Sequence, residues 1–225
     1  MGETELLAGF AYRASEWPVR LQVILNGTAT PPGPEPYADM QIVRPAANLG
    51  VAASWNSVIR SDPTAPYWLI ANVDAHLHGD DIAYVIDECN KGGARWVGIC
   101  NDWRLFGITA EAVERAGFFD ENYHPIYLED CDYEYRCKLA GVDAYNDVRV
   151  SRSPGEANAS RSTHIGGTSW RGIRKLDRRP VNEYYFEKWG GGWRGGETYT
   201  TPFNEGGSVR DWTLRLSQLR AGLWL

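Results

Sequence analysis

Between residues 20 and 150, short apolar runs alternate with segments whose apolar residues recur every three or four positions, and Gly, Pro or Asn-Gly signals separate most of them. This alternation predicts an α/β domain: a three-layer, Rossmann-like arrangement around a mainly parallel sheet. The length of 225 residues allows one sizeable core, and no internal repeat divides it. After Val150 the alternation stops, which predicts a domain over residues 1–170 and an irregular or helical C-terminal extension over 171–225 packed on it.

In chain order, Leu6–Trp17 reads as a helix stopped by Pro18. Arg20–Leu25 is a buried strand ending in the turn dipeptide Asn26-Gly27, and Met40–Arg44 is a second short strand. A helix follows to about Arg60, with Asn48 as its expected N-cap. Tyr67–Ala71 is an apolar strand that runs into Asn72-Val73-Asp74. Asp80–Asn90 returns to helical spacing, Arg95–Cys100 is a strand, and Thr109 caps a helix that Gly117 stops.

The next helix has an unusual start. Glu129, Asp130, Asp132 and Glu134 crowd its first turns, while Leu128, Cys131, Tyr135 and Leu139 mark an apolar face. The helix macrodipole accounts for one or two carboxylates there. The like-charge pair Asp130 and Glu134, four residues apart, is unfavourable unless a cation, a proton or a substrate hydroxyl relieves it. A strand follows through Val142–Val150. Further on come a basic run over 171–179, a helix over Asn182–Trp189, the run Gly190-Gly191-Gly192 read as a flexible connection, and a closing amphipathic helix over Ser208–Leu219.

Composition narrows the function classes. Lys and Arg number 23 against 29 Asp and Glu, a net charge of −6 that disfavours a nucleic-acid groove. No apolar run is long enough to span a bilayer, and the opening residues do not read as a signal segment. The four cysteines form no CxxC pair, which predicts reduced, buried thiols and a cytoplasmic setting. P-loop, dinucleotide and nucleophile-elbow patterns are absent. The chain holds ten Trp and twelve Tyr, so aromatic stacking on a flat ligand is open to it; Trp103, Phe106, Trp170 and Trp193 are candidates for an acceptor platform or for packing.

In open α/β sheets ligands bind beyond the carboxyl ends of the strands, which aligns Asn26, Asp74 and the loop after Cys100 along one edge. A strand-end carboxylate suits a hard divalent cation shared with phosphates. His76 and His78 alternate with Asp74, and His164 lies in a glycine-containing loop.

These residues together resemble a known family. Asn48-x-Gly50 with Asn56 downstream, the strand into Asn72-Val73-Asp74, Gly117-Phe118-Phe119-Asp120-Glu121, Glu129-Asp130-x-Asp132-x-x-x-Arg136, Gly141 and the late His164 look like family 2 glycosyltransferases of the GT-A fold. The match runs over Leu6–Ser169. Asn182-x-x-Tyr185 and Lys188-Trp189-Gly190-Gly191 resemble a tail found in some bacterial and phage relatives.

The resemblance implies a metal-dependent inverting transfer of a hexosyl-type sugar from a UDP-, GDP- or dTDP-sugar to a glycan or protein acceptor. It implies a Mn²⁺ or Mg²⁺ ion on Asp74 with His164 beside it, in a DxD-like motif whose first position is Asn72. Asn26, Asn48, Gly50, Asn72 and Asp74 become the cofactor- and donor-binding set. Asp130 becomes the general base, and Glu129 and Asp132 position the acceptor.

Two features depart from the family. Asn72 replaces an acidic residue, and Leu25 stands where a base-contacting Asp is frequent. In addition the family's opening strand precedes the first helix, whereas here only Met1-Gly2-Glu3-Thr4 does, so the sheet is expected to lack the usual first strand. These departures keep a rival reading open, a catalytically weak GT-A-like module that binds a glycan or a protein. A metal-dependent hydrolase or nucleotidyltransferase using Asp74, His76 and His78 is a third.

Overall fold

The computed structural model describes residues 20–26, 41–72, 79–99, 102–147 and 177–207. The elements are β1 (Gln22–Ile24), β2 (Gln41–Val43), α1 (Gly50–Ser61), β3 (Tyr67–Ala71), α2 (Gly79–Asn90), β4 (Arg95–Ile99), β5 (Asp102–Thr109), α3 (Ala110–Ala116), α4 (Glu129–Leu139), β6 (Asp143–Asp147) and α5 (Arg179–Trp189). Single 3₁₀ turns lie at Glu121–Tyr123 and Pro202–Asn204. The helices expected over Leu6–Trp17 and Ser208–Leu219 fall outside the described residues.

The strands form two sheets: β1 and β2 pair in parallel, and β3-β5-β4-β6 form a four-stranded sheet. That larger sheet is mixed, because β5 runs antiparallel to both β3 and β4 while β6 is parallel to β4. The expectation of a mainly parallel sheet therefore needs correcting at β5. Only residues 100 and 101 separate β4 from β5. A link that short makes a hairpin and cannot carry a parallel crossover. Periodicity does not mark β5, because Trp103-Arg104-Leu105-Phe106-Gly107 carries a charge and a glycine inside its apolar run.

Alternation along β3 shows why helices cover both faces. Trp68 and Ile70 join one cluster with Trp55 and Ile59 of α1, Ala112 and Val113 of α3, and Tyr133 of α4. Tyr67, Leu69 and Ala71 point the other way, against Ile82, Val85 and Cys89 of α2. The first cluster is built on aromatic rings around Trp103, which lies 4.6 Å from Trp96, 4.9 Å from Phe106 and 5.8 Å from Trp55, ring centre to ring centre. Trp103 and Phe106 are thus core residues and no acceptor platform.

Local signals behave as their chemistry requires. Thr109 caps α3 by accepting from the Ala112 N–H, and Gly117 ends it at φ 80°. Asn48 falls two residues short of helical geometry: the N-cap is Leu49, although Asn48 Oδ1 still accepts from Gly50 N at 2.8 Å. Cys89, Cys131 and Cys137 are buried free thiols. Burial pushes Cys89 and Cys137 up to about 12, so neither is a reactive thiolate at neutral pH. No helix among the described residues is long and apolar enough to cross a membrane.

Truncating Trp103 to Ala removes the ring shared by this cluster and is expected to cost about 3–5 kcal/mol. Trp193→Ala, on an exposed ring, is expected to stay within about 0.5 kcal/mol. Denaturant melts of the two variants check the contrast.

Candidate functional site

The amphipathic period of α4 divides its acidic residues between two faces. Asp132 and Arg136 are fully enclosed and Glu129 is buried, whereas Asp130 and Glu134, one turn apart, are half-buried.

The enclosed face is a charge network. Asp132 Oδ2 accepts from Arg136 Nε at 2.8 Å. Asp132 Oδ1 faces Lys188 Nζ of α5 at 2.7 Å and accepts from Trp189 Nε1 at 2.8 Å. The same Lys188 ammonium lies 2.6 Å from Asp120 Oδ2, which also accepts from Tyr184. Arg136 Nη1 donates to the carbonyls of Ala116 and Phe118 at the end of α3. Two carboxylates and two cations thus neutralise one another away from water. Burial raises the Asp120 carboxyl, but the Lys188 ammonium and the Asn122 and Tyr184 donors outweigh it and hold it at about 2.

Asp132 had been expected to position an acceptor. Here both of its oxygens are committed to α4 and α5, so its described contacts fasten the helix. Lys188 and Trp189 complete this network from α5, and the Lys188-Trp189-Gly190-Gly191 pattern is their signal in the sequence.

Glu129 is a different case. Its carboxyl is buried, and Oε2 has no hydrogen-bond partner among the described residues. Burial and the adjoining Asp130 carboxylate push it up to about 8, against the opposing N–H groups of Glu129 and Tyr127. Glu129 therefore carries its proton at neutral pH. Asp130 Oδ1 accepts from Cys131 N at 2.8 Å. Glu134 accepts from Trp103 Nε1 at 2.8 Å and lies 3.9 Å from Arg194 Nε. The Trp103 N–H and the Arg194 charge offset part of the repulsion between Asp130 and Glu134.

Asn26, Asn48 and Gly50 are brought together at the start of α1. Asn26 Oδ1 accepts from Leu49 N at 2.6 Å, and its amide nitrogen reaches Gly50 O at 3.2 Å and Ser54 Oγ at 3.1 Å. Their neighbour is the loop leading to Glu129: His124 Nε2 lies 3.2 Å from Asn48 O, and Val51 N donates to Pro125 O at 2.9 Å. Gly50 is demanded by this approach, since a Cβ there would sit 2.8 Å from Pro125 O, and its φ is 75°. Asn56 is buried and clips Phe119 through both its N–H and its C=O. Asn72 follows β3, with its N–H on Arg104 O at 2.8 Å.

Asp74, His76, His78 and His164 lie outside the described residues. Among the described residues no group of three or more His, Cys, Asp or Glu is placed to hold a metal ion.

Comparison with known proteins finds one short likeness. A galactofuranosyl glycosyltransferase of Leishmania donovani is 45% identical over 40 residues, which cover 18% of this chain and 9% of that protein. No family model matches the chain, and no solved structure matches it.

Two outcomes follow from the site's electrostatics. Lys188→Met leaves Asp120 and Asp132 facing one cation instead of two and is expected to cost about 3–5 kcal/mol in a denaturant melt. In the parent, Asp120 stabilises the fold above its ordinary value of 3.8, and that contribution is lost as pH falls towards about 2. Glu129 has the opposite sign. The folded state holds its proton more tightly, so stability falls as pH rises from 4.5 through about 8. Glu129→Gln removes that dependence, and its melting temperature should rise relative to the parent across the same interval.

Proposed function

We propose that this chain is a glycosyltransferase with a GT-A-like fold, moving a sugar from a nucleotide-sugar donor to an acceptor hydroxyl with inversion. The carrying observation is the split of the acidic helix, which leaves Asp130 as an accessible carboxylate on a helix clamped from behind. The short likeness to a galactofuranosyl glycosyltransferase supports glycosyl transfer as the reaction class. The order of motifs from Asn48 to Arg136 supports the GT-A-like reading.

In this reading Asp130 is the general base. The acceptor oxygen attacks the anomeric carbon, the bond from that carbon to the diphosphate oxygen breaks, and the hydroxyl proton passes to the Asp130 carboxylate. A single in-line displacement inverts the anomeric carbon. Asp130 Oδ1 is steadied by the Cys131 N–H, and the carboxylate takes the proton. Glu129, protonated beside it, limits the negative charge around the acceptor hydroxyl without competing for its proton. Asp132 acts through α4 by holding the helix in place. Asn26, Asn48 and Gly50 set the floor of the donor side.

Asp74, Asn72 and His164 offer a carboxylate, an amide and an imidazole, a donor set that suits Mn²⁺ or Mg²⁺. When bound, the ion supplies charge stabilisation for the departing diphosphate.

Asn72 and Leu25 favour a second reading, a GT-A-like module that binds a glycan or protein without transfer. Calorimetric titration with nucleoside diphosphates plus Mn²⁺ separates the two, because the module should show no metal-dependent nucleotide binding. Donor hydrolysis and transfer should fall by roughly 10²–10⁴-fold in Asp130→Asn, and also in Asp74→Ala. Parent-level activity in both variants would end the glycosyltransferase assignment.

A further inference from the structure

The loop after α5 is built to a fixed shape and presents two exposed side chains, Trp193 and Arg194. Gly190 ends the helix at φ 70°. The Gly190–Gly192 run, expected as a flexible connection, is packed closely: a Cβ on Gly191 would lie 1.9 Å from Gly196 O. Glu197 ties the loop together. Its Oε1 accepts from Tyr185 OH at 2.7 Å and from Arg194 N at 2.8 Å, and its Oε2 accepts from Gly195 N at 2.8 Å. Beyond it, Thr198 N and Tyr199 N both donate to Trp189 O at 3.0 Å, and Tyr135 OH of α4 donates to Tyr199 O at 2.8 Å.

This clamp holds Arg194 at φ 61°, a left-handed backbone that a non-glycine residue adopts at a cost. Arg194 lies over α4, with Nε 3.9 Å from Glu134 Oε2. Glu134 is one helical turn from Asp130 and on the same face. Trp193 makes one edge-on ring contact, with Tyr185 at 6.5 Å, and remains 43% exposed. Tyr185 is buried against Leu128 and Cys131 at the first turn of α4. The loop thus sets an open indole and a guanidinium beside the half-buried acidic face.

The chemistry of this group selects its ligand. A flat indole takes the C–H face of a ring that is polar at its rim. A guanidinium fork donates to adjacent hydroxyl oxygens, and a carboxylate accepts from a hydroxyl. A single guanidinium among Asp130, Glu134 and Glu197 disfavours an anionic ligand. We propose that Trp193 and Arg194, set by Glu197, form a subsite for an uncharged saccharide on the acceptor side of Asp130. The placement relative to the reaction rests on the glycosyl-transfer reading; binding of the saccharide does not.

Saturation-transfer NMR on the full chain with the methyl glycosides of galactose, glucose, mannose and rhamnose tests the subsite directly. At least one glycoside should show transfer to its ring protons. Trp193→Ala should abolish it, Trp193→Phe should restore it, and Arg194→Ala should weaken binding roughly tenfold. Parent-like circular dichroism melts should accompany every variant, since both side chains are exposed. Silence from all four glycosides, or parent-like binding in Trp193→Ala, overturns the subsite. Titrating the same samples with a nucleoside diphosphate and Mn²⁺ keeps the two readings apart. Glycoside binding without nucleotide binding overturns glycosyl transfer and upholds the subsite, and nucleotide binding without glycoside binding does the reverse.

Discussion

Lys188 is the residue on which the rest of the arrangement depends. Its ammonium sits between Asp120 and Asp132 at 2.6 and 2.7 Å, and Arg136 closes the set from the far side of Asp132. None of these groups is removable alone. A buried ion left without its partner costs several kcal/mol, while the intact set is close to neutral. The network therefore gives orientation more than stability. It fixes α4 to α5 and to the segment after α3, three pieces of chain that share no local sequence signal. Trp189 adds direction, because its indole N–H donates to Asp132 Oδ1 from the last turn of α5.

That constraint gives meaning to the acidic cluster. A helix turned by one residue, 100°, would exchange which carboxylates are enclosed. With Asp132 and Arg136 locked inward, Asp130 and Glu134 must lie towards the half-open side. The repulsion between them is met by Trp103 Nε1 and, at longer range, by Arg194. The i, i+4 carboxylates thus have neighbours within the fold that offset part of their repulsion.

Much of the fold was legible because its signals are local. The Tyr67–Ala71 strand, the Thr109 cap, the Gly117 stop and the span of the acidic helix each follow from a few neighbouring residues. What was hidden depends on distant partners. Asp132 looks like any other member of the cluster until Lys188, 56 positions on by residue number, is folded against it. The reversed direction of β5 was concealed by its composition. The Gly190–Gly192 run read as slack, but Gly196 and Glu197 convert it into a tight loop. The described strands fall into two sheets, β1-β2 and β3-β5-β4-β6.

A further question is what holds the start of α1 against the first turn of α4, some eighty residues along the chain. The loop at 124–128 supplies the physical answer. Tyr127 and Leu128 both hold positive φ, 88° and 70°, at a cost of about 1–3 kcal/mol each. Such a pair persists only where its surroundings leave no alternative. Gly50 packs under Pro125 with no room for a Cβ, Val51 N binds Pro125 O, and the Arg178 guanidinium covers Tyr127 at 3.8 Å. The left-handed turn then delivers the chain directly into Glu129 and Asp130. The start of α1, ordered by Asn26 and Asn48, thereby fixes the first turn of α4. Asn26, Asn48 and Gly50 are consequently tied through this loop to Glu129 and Asp130. A change at Gly50 should disturb the placement of Asp130 although the two residues belong to different helices.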